Sequence, residues 1–358
     1  MTDRPPASRP LTWRERSIVQ LTLARFREFY REPEAMFWTF IFPLLMAGGL
    51  GIAFRNKPPE VFKVGVTRAA PSADQVVAAL ATNKLLDVHL ADDTVGTREL
   101  RTGKIALLVG PGTDGHLAFR LDDTRPEALN ARRLADDAIQ RSAGRQDPVT
   151  VSEQLVRERG SRYIDFLIPG LLGMNMMGSS IWGLGFSVVD QRRKKLLKRF
   201  VATPMSRVDY LASFLFSRLS LLILEVAVMV GFGAIAFGVP LRGSLLTLGT
   251  ICLTGALAFG GLGLLIAARP RTVEGASGLM NLVMLPMWVF SGVFFASTNF
   301  PSVMQPFIKA LPLTAVNNAL RANMLEGAGF AQVWPELAVI SAWLVVCFAV
   351  ALRIFRWK

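Results

Sequence analysis

Apolar residues in this chain run in long, almost uninterrupted stretches rather than at the short alternations of a soluble fold. Six stretches are long enough to cross roughly 30 Å of hydrocarbon at about 1.5 Å per residue. They are Ala35–Phe54, Ile164–Val189, Tyr210–Val239, Leu245–Ala268, Gly275–Ala296 and Leu337–Phe355. Trp334 and Trp357 flank the last of them as interfacial aromatics.

Between the first two stretches the pattern changes. Phe62–Val66, Leu85–Leu90, Ile105–Val109 and His116–Leu121 read as strands. Ser72–Thr82, Thr97–Arg101 and Pro126–Arg141 read as helices, with Ser72 as an N-cap and Pro126 in a first turn. Such alternation predicts a small α/β domain. The polar stretch Pro148–Gly160 would return the chain to the membrane.

Two amphipathic helices are predicted outside the spans. Trp13–Tyr30 carries an apolar and a basic face, the pattern of an interfacial anchor. Within Asp190–Arg207, Leu196, Leu197, Phe200 and Val201 fall at i, i+1, i+4 and i+5, and Thr203-Pro204 breaks the helix. That helix either transmits a push from a soluble partner or lies on lipid headgroups. Past the fifth span, Pro306–Leu311 and Thr314–Leu325 read as short helices dipping into the outer leaflet.

The expected fold is therefore membrane α-helical, with six transmembrane helices and an extracytoplasmic α/β domain (residues 55–162) between the first and second. Around it lie an N-terminal segment (1–34), the first membrane helix (35–54) and a five-helix membrane domain (163–358). The last holds the loop helix (190–207) and a re-entrant segment (300–331).

Composition agrees. Of 358 residues, 51% are hydrophobic and 19% charged. Polar residues of that number could not cover a soluble fold. Disordered, collagenous and disulfide-rich classes are excluded on the same ground. Cys252 and Cys347 lie inside apolar stretches and read as small fillers. His89 and His116 are the only histidines and lack metal-site spacing, so no metal site is expected.

The net charge of +13 would by itself suggest nucleic acid. Its placement argues otherwise. Arginines and lysines crowd the N-terminal segment, the loop from Arg192 to Arg207, the pair Arg269 and Arg271, and the end at Arg353, Arg356 and Lys358. The opposite short segments hold only Arg242, Lys309 and Arg321. By the positive-inside rule both termini and the 190–207 loop are cytoplasmic. The first span is expected to act as an uncleaved anchor.

Little in the chain resembles a catalytic site. No G-x-x-x-x-G-K-[ST] loop, dinucleotide fingerprint or Ser-His-Asp arrangement is present, so neither catalytic nor cofactor-binding residues are expected. Arg218 and Glu225 lie two turns apart in the third span. An intramembrane carboxylate either fixes packing through an ion pair or serves a proton-coupled step. Gly249, Gly255, Gly260, Gly261 and Gly263 of the fourth span permit close helix approach. Met174, Met176 and Met177 are either apolar filler or an adaptable pathway.

Five stretches carry a resemblance. They are Arg27–Pro33 (REFYREP), Tyr163–Gly173 (YIDFLIPGLLG), Leu197–Arg207 (LKRFVATPMSR), Phe290–Phe295 (FSGVFF) and Leu311–Arg321 (LPLTAVNNALR). The chain resembles the membrane (permease) subunit of a type-2 ABC exporter, with the G-subfamily-like type V fold. The resemblance implies two permease subunits, a second copy or a paralogue. It also implies cytoplasmic ATP-binding cassette subunits that hold ATP and magnesium. It places contacts to that subunit at Arg193, Leu197, Arg199, Phe200, Thr203 and Pro204. It lines the route with the second and fifth spans, here Met174, Met177, Met284 and Phe290. One departure stands out. Where many members carry Glu-Arg-Glu-x-Gly-Thr-x-Glu, this chain has Asp190–Lys198 (DQRRKKLLK), so a partner face needs complementary acid.

The resulting expectation is an export permease of a bacterial cytoplasmic (inner) membrane, touching lipid and no nucleic acid. Drugs, lipids, glycans and ions all stay open as substrate. A membrane sensor or scaffold with an outer ligand-binding domain is the alternative, and a carrier built on Glu225 a third.

Overall fold

A computed structural model describes residues 17–54, 61–112, 116–146, 149, 152, 160–194, 207–270 and 272–354. The chain divides into two compact units, Met1–Arg55 with Arg157–Lys358, and Asn56–Val156.

The first unit is helical. Helix α1 (Ser17–Arg31) precedes a continuous rod of α2 (Pro33–Met36), a π-helical turn (Phe37–Ile41) and α3 (Phe42–Ala53). After the second unit come α7 (Tyr163–Arg193), α8 (Arg207–Phe237), α9 (Leu245–Ala267), α10 (Val273–Phe290), the short α11 (Gln305–Ala310) and α12 (Pro312–Arg321), and α13 (Phe330–Ile354). Among the described residues six helices are long and apolar enough to cross a membrane.

Burial separates these six by role. The apolar window of α7 is 78% buried and that of α9 61%, against 17–22% for the other four. So α7 and α9 form the core, and the rest turn apolar faces outward. Glycines allow this. A Cβ on Gly263 would lie 2.8 Å from the Ile181 carbonyl oxygen, and one on Gly255 would lie 2.9 Å from the Met176 side chain. Gly261 faces the other way, onto Phe348 and Cys347 of α13. Gly249, by contrast, has nothing within 4 Å. Close backbone approach multiplies van der Waals contact where lipid leaves no hydrophobic drive between helices. The first span uses the same device, burying Pro43, Ala47 and Gly51 at a four-residue spacing.

Several ends differ from the expected ones. The fifth span stops at Phe290, because Gly292 turns the chain in the left-handed region (φ 69°) and Ser291–Ala296 is not helical. The sixth begins at Phe330 and runs through Pro335, whose missing N–H removes one bond without ending the helix. Residues 190–193, placed in a separate loop helix by the sequence, continue α7 instead.

The second unit is a four-stranded sheet, ordered β2-β1-β3-β4. Strands β1 (Phe62–Thr67), β2 (Leu86–Ala91) and β3 (Leu107–Pro111) are parallel, and β4 (Leu117–Arg120) is antiparallel to β3. Helices α4 (Ala73–Ala81), α5 (Asp93–Arg101) and α6 (Pro126–Ser142) cover it. Phe62, Val64 and Val66 bury one face against Val76, Leu80, Ala131 and Ala135. On the other face Gly96 lets α5 settle over Leu108. Ser72 stands at the N-cap of α4 as expected, but it makes no capping bond and takes a left-handed backbone (φ 53°).

Candidate functional site

Three of the five stretches that carry the resemblance meet in space. Tyr163–Gly173 opens α7, Phe290–Phe295 ends α10, and Leu311–Arg321 is α12 with the residue before it. The turn after α10 is held through its carbonyls. Asn317 Nδ2 donates to the Ser291 oxygen at 2.9 Å, Arg321 Nη2 donates to the Gly292 oxygen, and Tyr163 Oη donates to the Phe294 oxygen at 3.0 Å. These carbonyls lack intrahelical donors because the helix has ended.

Two glycines make the approach possible. A Cβ on Gly170 would meet the Val293 carbonyl oxygen at 2.6 Å and Arg321 Nη2 at 2.9 Å. Gly173 faces Asn317 Oδ1 so closely that only a hydrogen fits. Asn317 and Arg321, one turn apart on α12, therefore sit over Gly170 and Gly173 of α7. Arg321 also stacks 3.6 Å above the Phe166 ring centroid and donates from Nε to the Phe166 oxygen at 3.3 Å. Among the described residues no carboxylate lies within 4 Å of its guanidinium. A guanidinium does not give up its proton in proteins, so Arg321 stays a cation at neutral pH.

Arg321 belongs to a pattern that sequence reading missed. Helices α8, α9 and α10 carry no basic residue in their last turns. Each receives one from a neighbour. Arg162 Nη2 donates to Gly238 after α8 (3.4 Å), Arg192 Nη1 to Ala267 and Pro270 at the end of α9 (3.3 and 3.4 Å), and Arg321 to Gly292 after α10. A cation there answers the partial negative charge of the helix C-terminus. The signal in the sequence was the absence of a basic last turn.

The pair in the third span is real. Arg218 Nη1 donates to Glu225 Oε1 at 3.1 Å, and Ser179 Oγ of α7 donates to Oε2 at 2.8 Å. Arg218 Nη2 reaches Ser179 and Ser180 at 2.7 and 2.8 Å. The Glu225 side chain is 1% exposed and that of Arg218 15%. One turn along α7, Asn175 Nδ2 donates to the Thr39 oxygen in the π-helical turn at 3.0 Å. A polar stripe on α7 thus binds the first and third spans.

The remaining predicted residues fall in four groups. Met174, Met177 and Met284 are buried in the core of the helical unit, with Met284 packed near Gly178 of α7. Phe290 packs edge-on against Phe300, with centroids 5.1 Å apart. Arg193 and Lys194 both pair with Asp190, at 3.2 and 2.7 Å. Leu197, Arg199, Phe200, Thr203 and Pro204 lie outside the described residues.

Comparison with known proteins decides the family. The model for "ABC-2 family transporter protein" matches residues 34–353, nearly the whole chain. The chain belongs to the ABC-2 transporter family. It is a multi-pass membrane permease of that family. ABC transporter G family member 20 of Dictyostelium discoideum is 28% identical over 58% of this ABC-2 chain and 29% of its own length. The inner membrane transport permease YhhJ of Escherichia coli (strain K12) is 24% identical over 48% of the chain and 46% of its own. The daunorubicin resistance ABC transporter permease protein DrrB1 of Streptomyces coeruleorubidus is 27% identical over 55% and 70% respectively. The match thus spans less than half the length of the first two relatives.

Proposed function

We propose that this chain is the permease subunit of an ATP-driven exporter in a bacterial cytoplasmic membrane, energised by a separate ATP-binding subunit. The family match over residues 34–353 carries the reading. ATP and magnesium are held by the partner in this reading, in keeping with a sequence that carries no G-x-x-x-x-G-K-[ST] loop. Both termini and the basic loop after α7 lie on the cytoplasmic side, and the α/β unit lies outside.

The partner docks on the loop at residues 190–207. Leu197 and Phe200 seat in its groove, while Arg193 and Arg199 meet acidic rim residues. Thr203 and Pro204 complete the contact. Force then reaches α7, whose last residues are continuous with that loop. Through Arg192 it also reaches the end of α9. Met174 and Met177 of α7 and Met284 and Phe290 of α10 line the route once two permease copies pair. The names of DrrB1 and of the probable multidrug permease YbhS, a 25% identical relative, favour amphiphilic drug-like molecules as substrate.

Inside-out vesicles bearing the chain with its ATP-binding partner test this. ATP-dependent uptake of a fluorescent anthracycline is expected. Equal uptake with and without ATP would overturn export of that class.

A further inference from the structure

We infer that Arg321, with Asn317, is a bolt that closes the outward end of the second and fifth spans, and that it must release Gly292 for substrate to leave. The inference rests on the export reading for what passes, but not for the bolt itself.

The three donors to the turn after α10 are not equivalent. Tyr163 and Asn317 make one neutral hydrogen bond each to it, at 3.0 and 2.9 Å. Tyr163 ties α7 to the turn by that single bond, whereas Arg321 makes the multiple joint, since one guanidinium holds the Gly292 oxygen, the Phe166 oxygen and the Phe166 ring. It therefore joins the end of α10 to the outer part of α7 through α12.

Its chemistry suits a reversible joint. Arg162, which caps α8, is neutralised by a bidentate bond to Asp165 at 2.9 and 2.7 Å. Arg321 instead meets main-chain dipoles and an aromatic face. Those partners hold a cation without the deep well of a buried ion pair, whose loss is strongly unfavourable. The joint also has a place to slide. Gly170 and Gly173 leave α7 smooth beneath Arg321 and Asn317, and Gly292 has a backbone that others adopt with strain (φ 69°). Pro169, next to Gly170 inside α7, donates no hydrogen bond, so the helix is weakened at the same level. Arg321 is thus a positioning residue, acting through the turn that ends α10.

Spin labels at Ser161 and Thr298, on an otherwise cysteine-free full chain in nanodiscs, test the bolt without any partner or substrate. Wild type is expected to give one narrow distance. Arg321→Lys keeps the charge but loses the fork, and should add a second, longer population while the chain stays monodisperse. Gly170→Ala should do the same from the opposite side, because its methyl group displaces the Val293 carbonyl. Unchanged distances in both variants would overturn the proposal.

A second arm uses the complete complex. A reducible crosslink between cysteines at the same two positions should lower transport by about tenfold, with recovery on reduction. Transport that continues through the crosslink would show that the bolt does not open. A bolt seen by distance in a chain that transports nothing would leave the export reading, not the bolt, at fault.

Discussion

Arg218 and Glu225 stand seven residues apart on one helix and close an ion pair of 3.1 Å over the hydroxyls of Ser179 and Ser180. The pair is buried in the core rather than directed into an open route, which favours packing over proton carriage. Removing one partner leaves a buried charge unpaired, at a cost of about 3–5 kcal/mol. Glu225→Gln or Arg218→Gln alone should lower the unfolding temperature in detergent more than the double substitution does. A double variant no better than the worse single one would show that the two residues do not act as a pair.

Glycine substitutions should sort by geometry. Gly263→Ala forces a methyl group onto the Ile181 backbone, and overpacking of this kind costs about 1–3 kcal/mol. Gly249→Ala meets open space and should be neutral or gain up to about 1 kcal/mol of helix propensity. Thermal unfolding of the two side by side checks the contrast.

Arg192 and Arg193 are neighbours with different tasks. Arg192→Ala removes the cation at the end of α9, worth about 0.3–1 kcal/mol, and should speed amide exchange in residues 264–269 a few-fold. Arg193 is an exposed partner of Asp190, and such pairs contribute about 0–1 kcal/mol. Arg193→Ala should leave that exchange unchanged and weaken docking only mildly, mainly through encounter rate.

Topology follows from the basic segments. A cysteine at Ser142, exposed on α6, should react with an impermeant thiol reagent added to intact cells. Reaction only after permeabilisation would place the α/β unit on the other side.

Much of this fold was legible because its signals are local. Long apolar runs betray spans, and Phe62, Val64 and Val66 alternate as a buried strand should. Pro126 marks the start of α6 as expected. Ends were less legible. Glu336 and Pro335 hide the first turns of α13, which tertiary packing keeps helical. The π-helical turn at Phe37–Ile41 carries no signal of its own, and the Asn175 side chain that bonds its Thr39 carbonyl comes from another helix. The clasp on Gly292 was hidden for the same reason. Tyr163 lies far in sequence from Asn317 and Arg321, and the targets of all three are main-chain carbonyls that any residue would supply.

On the proposed function, force enters from a soluble ATP-binding protein through the loop after α7. Capture of that protein by the tagged chain tests it most directly, comparing wild type with Phe200→Ala. A buried aromatic anchor is worth roughly 2 kcal/mol or more at an interface, so the wild-type chain should retain the partner and the variant should lose most of it. Equal retention by both, or no ATP-binding protein retained by either, would contradict entry of force through this loop.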